Sequence, residues 1–91
     1  MLNLNTIPHP HPEIIARVVE KEAVLVLPLQ GQVKVLNEVG ARIWSLIDGV
    51  RNTSEIITTV CQEYDTTLEA ATSDTTAFLT QLADRGIITL A

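Results

Sequence analysis

Gln32 to Gly49 reads QVKVLNEVGARIWSLIDG, and this stretch passes from strand to helix at a single residue. Val33, Lys34 and Val35 alternate apolar with charged and carry β-branching, so Gln32 to Leu36 reads as a strand. Asn37 then suits a helix N-cap, its side-chain oxygen accepting a free N–H of the first turn, with Glu38 at the positive end of the helix. Val39, Ile43, Ile47 and the flanking Leu46 recur at helical spacing, which requires one buried face. Gly49 is the expected C′ residue closing the helix. Trp44, the only Trp of the chain, reads as a core anchor or a partner contact.

Upstream, Ile14 to Val19 reads as a first strand and Glu20-Lys21-Glu22 as a charged connection. Ala23 to Leu27 reads as a second strand, apolar on both faces and ended by Pro28, which has no N–H for a ladder. Gln30-Gly31 is the turn into the third strand, so the three make an antiparallel meander whose outer strand, Gln32 to Leu36, has an open edge. Residues 1–12 read as a flexible tail, disordered or strapped over the body. Pro8, Pro10 and Pro12 alternate there with His9 and His11, favouring extended backbone without donors.

Downstream, Asn52 and Glu55 form a capping box (Thr53 is an equally good cap) for a second helix with the stripe Ile56, Ile57, Val60, Cys61 and Tyr64. A second box, Thr66 to Glu69, opens a third helix whose stripe is Leu68, Ala71, Thr75, Phe78, Leu79 and Leu82, stopped by Gly86. Thr72, Thr76 and Thr80 form one flank of that stripe; Asp74, Phe78, Gln81 and Arg85 form the other. Ile87 to Leu90 should fold back onto the sheet or helices. The fold class is α+β and winged helix-turn-helix-like: a three-stranded antiparallel meander followed by three helices, in one domain over residues 13–91.

The 91 residues carry six basic and eleven acidic side chains, a net charge of −5, which opposes nucleic-acid binding. The third helix has only Arg85 against Glu69, Asp74 and Asp84, where a DNA-recognition helix needs Lys, Arg or Asn. Cys61 stands alone, so there is neither a disulfide framework nor a Cys-based metal site, and a buried structural thiol is expected. His9 and His11 alone close no metal shell. No nucleophile elbow, phosphate-cradling glycine loop or paired carboxylate arrangement is present. No apolar run reaches about 18 residues. The expectation is a cytoplasmic binding module without cofactor, metal, membrane or nucleic-acid partner. A winged-helix regulatory or nucleic-acid-binding module is the alternative of another class.

Val24-Leu25 in a strand, followed by Leu36-Asn37-x-x-Gly40-x-x-Ile43-Trp44-x-Leu46-Ile47-Asp48-Gly49, resembles the PqqD-like proteins. So do Ser54-Glu55-Ile56-Ile57, Tyr64-Asp65, and the run from Asp74 through Ala77-Phe78-Leu79 and Leu82 to Arg85-Gly86-Ile87. The resemblance spans about residues 14–88. It implies a stand-alone recognition element for ribosomally made, later modified peptides. The leader segment of a precursor adds as a strand to the third strand, lies between that strand and the third helix, and is presented to modifying enzymes.

The resemblance places the peptide-binding residues at Gln32, Val33, Lys34, Val35 and Leu36 on the edge, and at Asp74, Thr75, Phe78 and Leu82 on the helix. The Thr flank is the alternative groove wall. Proline at Val33 and at Val35 should differ in effect, since only one set of edge donors faces a guest. The run Leu36 to Trp44 is closer to lasso-peptide members, whose partners are a leader-cutting protease and a cyclase, than to those serving pyrroloquinoline quinone synthesis beside a radical enzyme. A monomer or weak homodimer is expected, the latter through the open edge.

Overall fold

Glu20 and Lys21 make a two-residue turn that joins two strands into a hairpin, with Glu20 at a left-handed φ of 59°. The computed structural model describes residues 2–27 and 30–91. Along the chain lie β1 (Pro8–Pro10), β2 (Ile15–Val19), β3 (Glu22–Leu27), β4 (Gln32–Leu36), α1 (Glu38–Leu46), α2 (Thr53–Glu63), α3 (Leu68–Asp84) and β5 (Ile88–Leu90). β2, β3 and β4 form an antiparallel sheet with β3 central, the meander expected from the sequence, and three helices follow. Pro28, expected to end β3, lies outside the described residues.

One face of the sheet builds the core. Ala23, Leu25 and Leu27 of β3 and Leu36 of β4 are buried there with Ile43, Leu46, Ile56, Leu79 and Leu82 of the helices. Burial of a side chain such as Leu25 contributes about 1.5–3 kcal/mol. Trp44 and Tyr64 are half-buried against this cluster, and Cys61 is half-buried with its thiol 3.7 Å from the Thr66 carbonyl. Asn37 caps α1 by accepting from the Gly40 N–H at 2.9 Å, and Asn52 with Glu55 completes the capping box of α2.

The ends of α1 and α3 separate two roles of glycine. Gly86, at φ 74°, donates to the Ala83 carbonyl, and Ile87 donates to that of Leu82; α3 thus stops at Gly86 as the sequence predicts, in a Schellman ending. Gly49 is not the C′ residue of α1, which stops at Leu46 with Ile47 N–H bonded to the Trp44 carbonyl. Asp48 intervenes: its carboxylate accepts from the N–H groups of Val50 and Arg51 and turns the chain. Gly49, at φ 77°, leaves room for His9, whose Nδ1 would lie 3.0 Å from an added Cβ. At the start of α3 the cap is Thr67, not Thr66, and Leu68 points to solvent.

The N-terminal segment departs most from expectation. Residues 8–10, in the tail expected to be flexible and either disordered or strapped over the body, are strapped: they pair antiparallel with β5. Ile7 and His11 donate to the carbonyls of Ala91 and Ile87, so the ladder uses odd-numbered residues. Pro8 and Pro10 fall on the alternate positions, whose missing N–H groups would point away from β5. The carbonyls of Leu4 and Thr6 accept from the N–H groups of Ser54 and Thr53, and the buried Thr53 hydroxyl also donates to Thr6. The segment therefore satisfies donors that α2 leaves free at its start.

Arg42 of α1 holds Glu63 of α2 through two hydrogen bonds of 2.7 Å. That bonding keeps the Glu63 carboxyl below its ordinary pKa, and the Arg51 and Val50 N–H groups do the same for Asp48. With folded-state pKa values depressed, both contributions are complete above the ordinary carboxylate range. They are lost as pH falls through the folded values. The melting temperature should drop between pH 6 and pH 3, and Glu63→Gln should flatten that dependence, as thermal melts followed by circular dichroism will show.

Candidate functional site

β4 is an edge strand, and the backbone groups it offers follow from the β2–β3 hairpin. In a hairpin with a two-residue turn, the closing pair, here Val19 and Glu22, exchanges both hydrogen bonds. On β3, Glu22, Val24 and Val26 therefore turn their polar backbone groups to β2, while Ala23, Leu25 and Leu27 turn theirs to β4. Their partners Leu36, Lys34 and Gln32 are engaged in this ladder. Val33 and Val35 are left with N–H and C=O directed at the open edge. Proline at 33 and at 35 should consequently act alike, contrary to the expected difference; the contrasting position is Lys34.

Beside this edge runs a groove of about 410 Å3. Lys34, Val35 and Leu36 of β4 form one side, and Asp74 and Phe78 of α3 the other. Asn37, Val39, Gly40 and Ile43 form the base between them. Lys34 and Asp74 set one charge of each sign on walls that are otherwise mainly apolar. Gly40 keeps the base open: an added Cβ would meet Leu36 Cβ at 3.4 Å and Phe78 Cε1 at 3.5 Å. Among the described residues there is no group of three or more His, Cys, Asp or Glu suited to hold a metal ion.

The residues singled out from the sequence divide into three groups. Lys34, Val35, Leu36, Asp74 and Phe78 meet around the groove. Gln32 and Val33 lie further along the exposed edge strand. Thr75 and Leu82 are fully buried and do not line the groove. Asn37, Val39, Gly40 and Ile43 were missed as lining residues. Val39 carried the signal, since it belongs to the apolar stripe of α1 yet remains exposed where its stripe partners are buried.

The Thr flank of α3 lies elsewhere. Thr76 and Thr80 line a wider, open depression with Leu2, Ala77, Gln81 and Leu90. The hydroxyls of Thr72 and Thr76 donate to the carbonyls of Leu68 and Thr72, one turn back, which satisfies them within the helix. Thr75 differs: its hydroxyl is buried without a partner. An orphaned buried polar group costs about 1–3 kcal/mol, so Thr75→Val, which keeps the shape, should stabilise the fold by about 1–2 kcal/mol. Urea unfolding of the two proteins measures this directly.

A three-stranded meander with one groove-flanked open edge, backed by three helices, defines a winged helix-turn-helix-like α+β domain. The family model described as coenzyme PQQ synthesis protein D (PqqD) matches residues 22–88, and the chain belongs to that family. Among solved structures, "TbiB1 in Complex with the TbiA(beta) Leader Peptide" superposes with a TM-score of 0.82 at 28% identity, over 88% of this chain and 93% of that one. "Lasso peptide synthetase B1 complexed with the leader peptide" superposes with a TM-score of 0.81 at 22% identity, over 91% and 98%; at that identity the likeness is one of fold. No curated protein matches the chain. No described helix is long and apolar enough to cross a membrane.

Proposed function

We propose that this protein is a non-catalytic, lasso-type recognition element that captures the leader segment of a ribosomally made precursor peptide. The leader adds as an antiparallel strand to β4, bonding to the backbone of Val33 and Val35, and its alternate side chains enter the groove between β4 and α3. Gln32 to Leu36, Asp74 and Phe78 carry the contact, while Thr75 and Leu82 support α3 from beneath. The bound precursor is then presented to a leader-cutting protease and a cyclase. The observation that carries this reading is the open β4 edge lying against a groove that joins apolar walls to one charge of each sign, in a fold shared with TbiB1 solved in complex with the TbiA(beta) leader peptide.

A disordered leader loses conformational freedom on binding, so micromolar to high-nanomolar affinity, about −8 to −10 kcal/mol, is expected. Calorimetric titration with synthetic leader peptides encoded beside this protein's gene tests the proposal. Binding by a lasso-type leader, weakened when its apolar residues become Ala, supports it. Binding only by a precursor of the pyrroloquinoline quinone type would transfer the function to that pathway and its radical enzyme, the reading favoured by the family's description. Failure of every neighbouring leader to bind the folded protein would overturn both.

A further inference from the structure

The face of the β2–β3–β4 sheet turned away from the helices is apolar, although an antiparallel sheet with one face toward water ordinarily places polar side chains there. The registers put Ile15, Val19, Val24, Val26, Val33 and Val35 on this face. Ile15 is 52% exposed, Val19 63%, Val33 62% and Val35 65%, so no described element covers it. Among the described residues, Arg17 and Glu22 are the only charged ones on it, of opposite sign and both at or beside the β2 margin.

We propose that this face packs against the same face of a second copy of the chain, forming a weak two-fold dimer. Three arguments select a second copy. The face is a continuous sheet of branched aliphatic side chains, and two such sheets interdigitate at the usual sandwich spacing of about 10 Å. Four of its aliphatic side chains, Ile15, Val19, Val33 and Val35, are each more than half exposed and lie on one face with Val24 and Val26 between them, a contiguous patch of the kind that marks an interaction surface. A specific interface needs at least about 1,000 Å2 in total, and a face of three strands of five or six residues is small against that, which sets the dimer as weak and concentration-dependent. The two charges are of opposite sign, so a two-fold copy adds no buried like-charge repulsion and leaves Arg17 and Glu22 able to pair across the rim.

The contact differs from pairing through the open edge. Face-to-face packing leaves the N–H and C=O groups of Val33 and Val35 free, so dimerisation and strand addition to β4 are compatible. The proposal does not depend on the identity of the guest.

Sedimentation velocity of the full chain between about 10 µM and 1 mM tests it. The wild type should pass from the 10.0 kDa monomer toward twice that mass across this range. Ile15→Lys and Val19→Lys, both on the solvent face and on β2 at the far side of the sheet from β4, should each weaken association at least tenfold with unchanged circular dichroism. A wild type that remains monomeric at 1 mM overturns the proposal. So does a dimer insensitive to both substitutions, or one that a saturating leader peptide dissolves, since the latter places the contact at the β4 edge.

Discussion

Val35→Pro is expected to weaken leader-peptide binding by about tenfold or more while the protein stays folded. The Val35 N–H points away from β3, so its loss leaves the sheet intact but removes a donor from the guest. One such bond contributes about 1 kcal/mol, and the pyrrolidine ring also obstructs the approach of the added strand. About 1.4 kcal/mol corresponds to a tenfold change in affinity. Val33→Pro should have a similar effect. Lys34→Pro should behave differently, because the Lys34 N–H belongs to the ladder with Leu25 in the middle of the sheet; it should lower stability before it reports on binding. Calorimetry paired with thermal melts separates these cases. Wild-type affinity in a folded Val35→Pro protein would contradict strand addition at β4.

Phe78→Ala is expected to cost about ten- to a hundredfold in leader affinity. Phe78 is half-buried: it packs against the core while also forming the α3 wall of the groove. Truncation removes apolar surface from both, with each largely buried apolar side chain worth about 1.5–3 kcal/mol. A fall in stability will accompany it, so a second substitution is needed to isolate the groove. Gly40→Val serves: the added Cβ already stands 3.4 Å from Leu36 and 3.5 Å from Phe78 Cε1, and the further methyl groups must displace Phe78 or fill the base. Both variants should bind weakly in titrations where Thr75→Val, altered only in the core, binds as the wild type does.

The sequence discloses the elements better than their neighbours. Strand alternation at Gln32 to Leu36, the Asn37 cap, the Asn52–Glu55 box and Gly86 are local signals, each read from a few adjacent residues, and each is present in the fold. Position across the structure was harder to read. Periodicity showed that α3 buries a stripe, but not which flank faces β4, because that depends on how α1 and α2 pack. The sequence therefore groups Thr75 and Leu82 with Asp74 and Phe78, although their side chains are buried in the core. The segment at Pro8–Pro10 read as a tail because its partner strand is about eighty residues away. Its alternating prolines favour extended backbone without donors, and that backbone fits a ladder that uses every second residue. Gly49 reads as helix closure because the sequence does not reveal that His9 lies against it.

Residue-resolved amide hydrogen exchange, with and without a saturating leader peptide, tests the central claim most directly. In the free protein the Lys34 amide should exchange slowly, being held in the ladder with β3, while those of Val33 and Val35 exchange fast. On addition of the leader, Val33 and Val35 should both become protected. Leader binding that leaves these two amides exchanging as in the free protein would show that the peptide docks elsewhere.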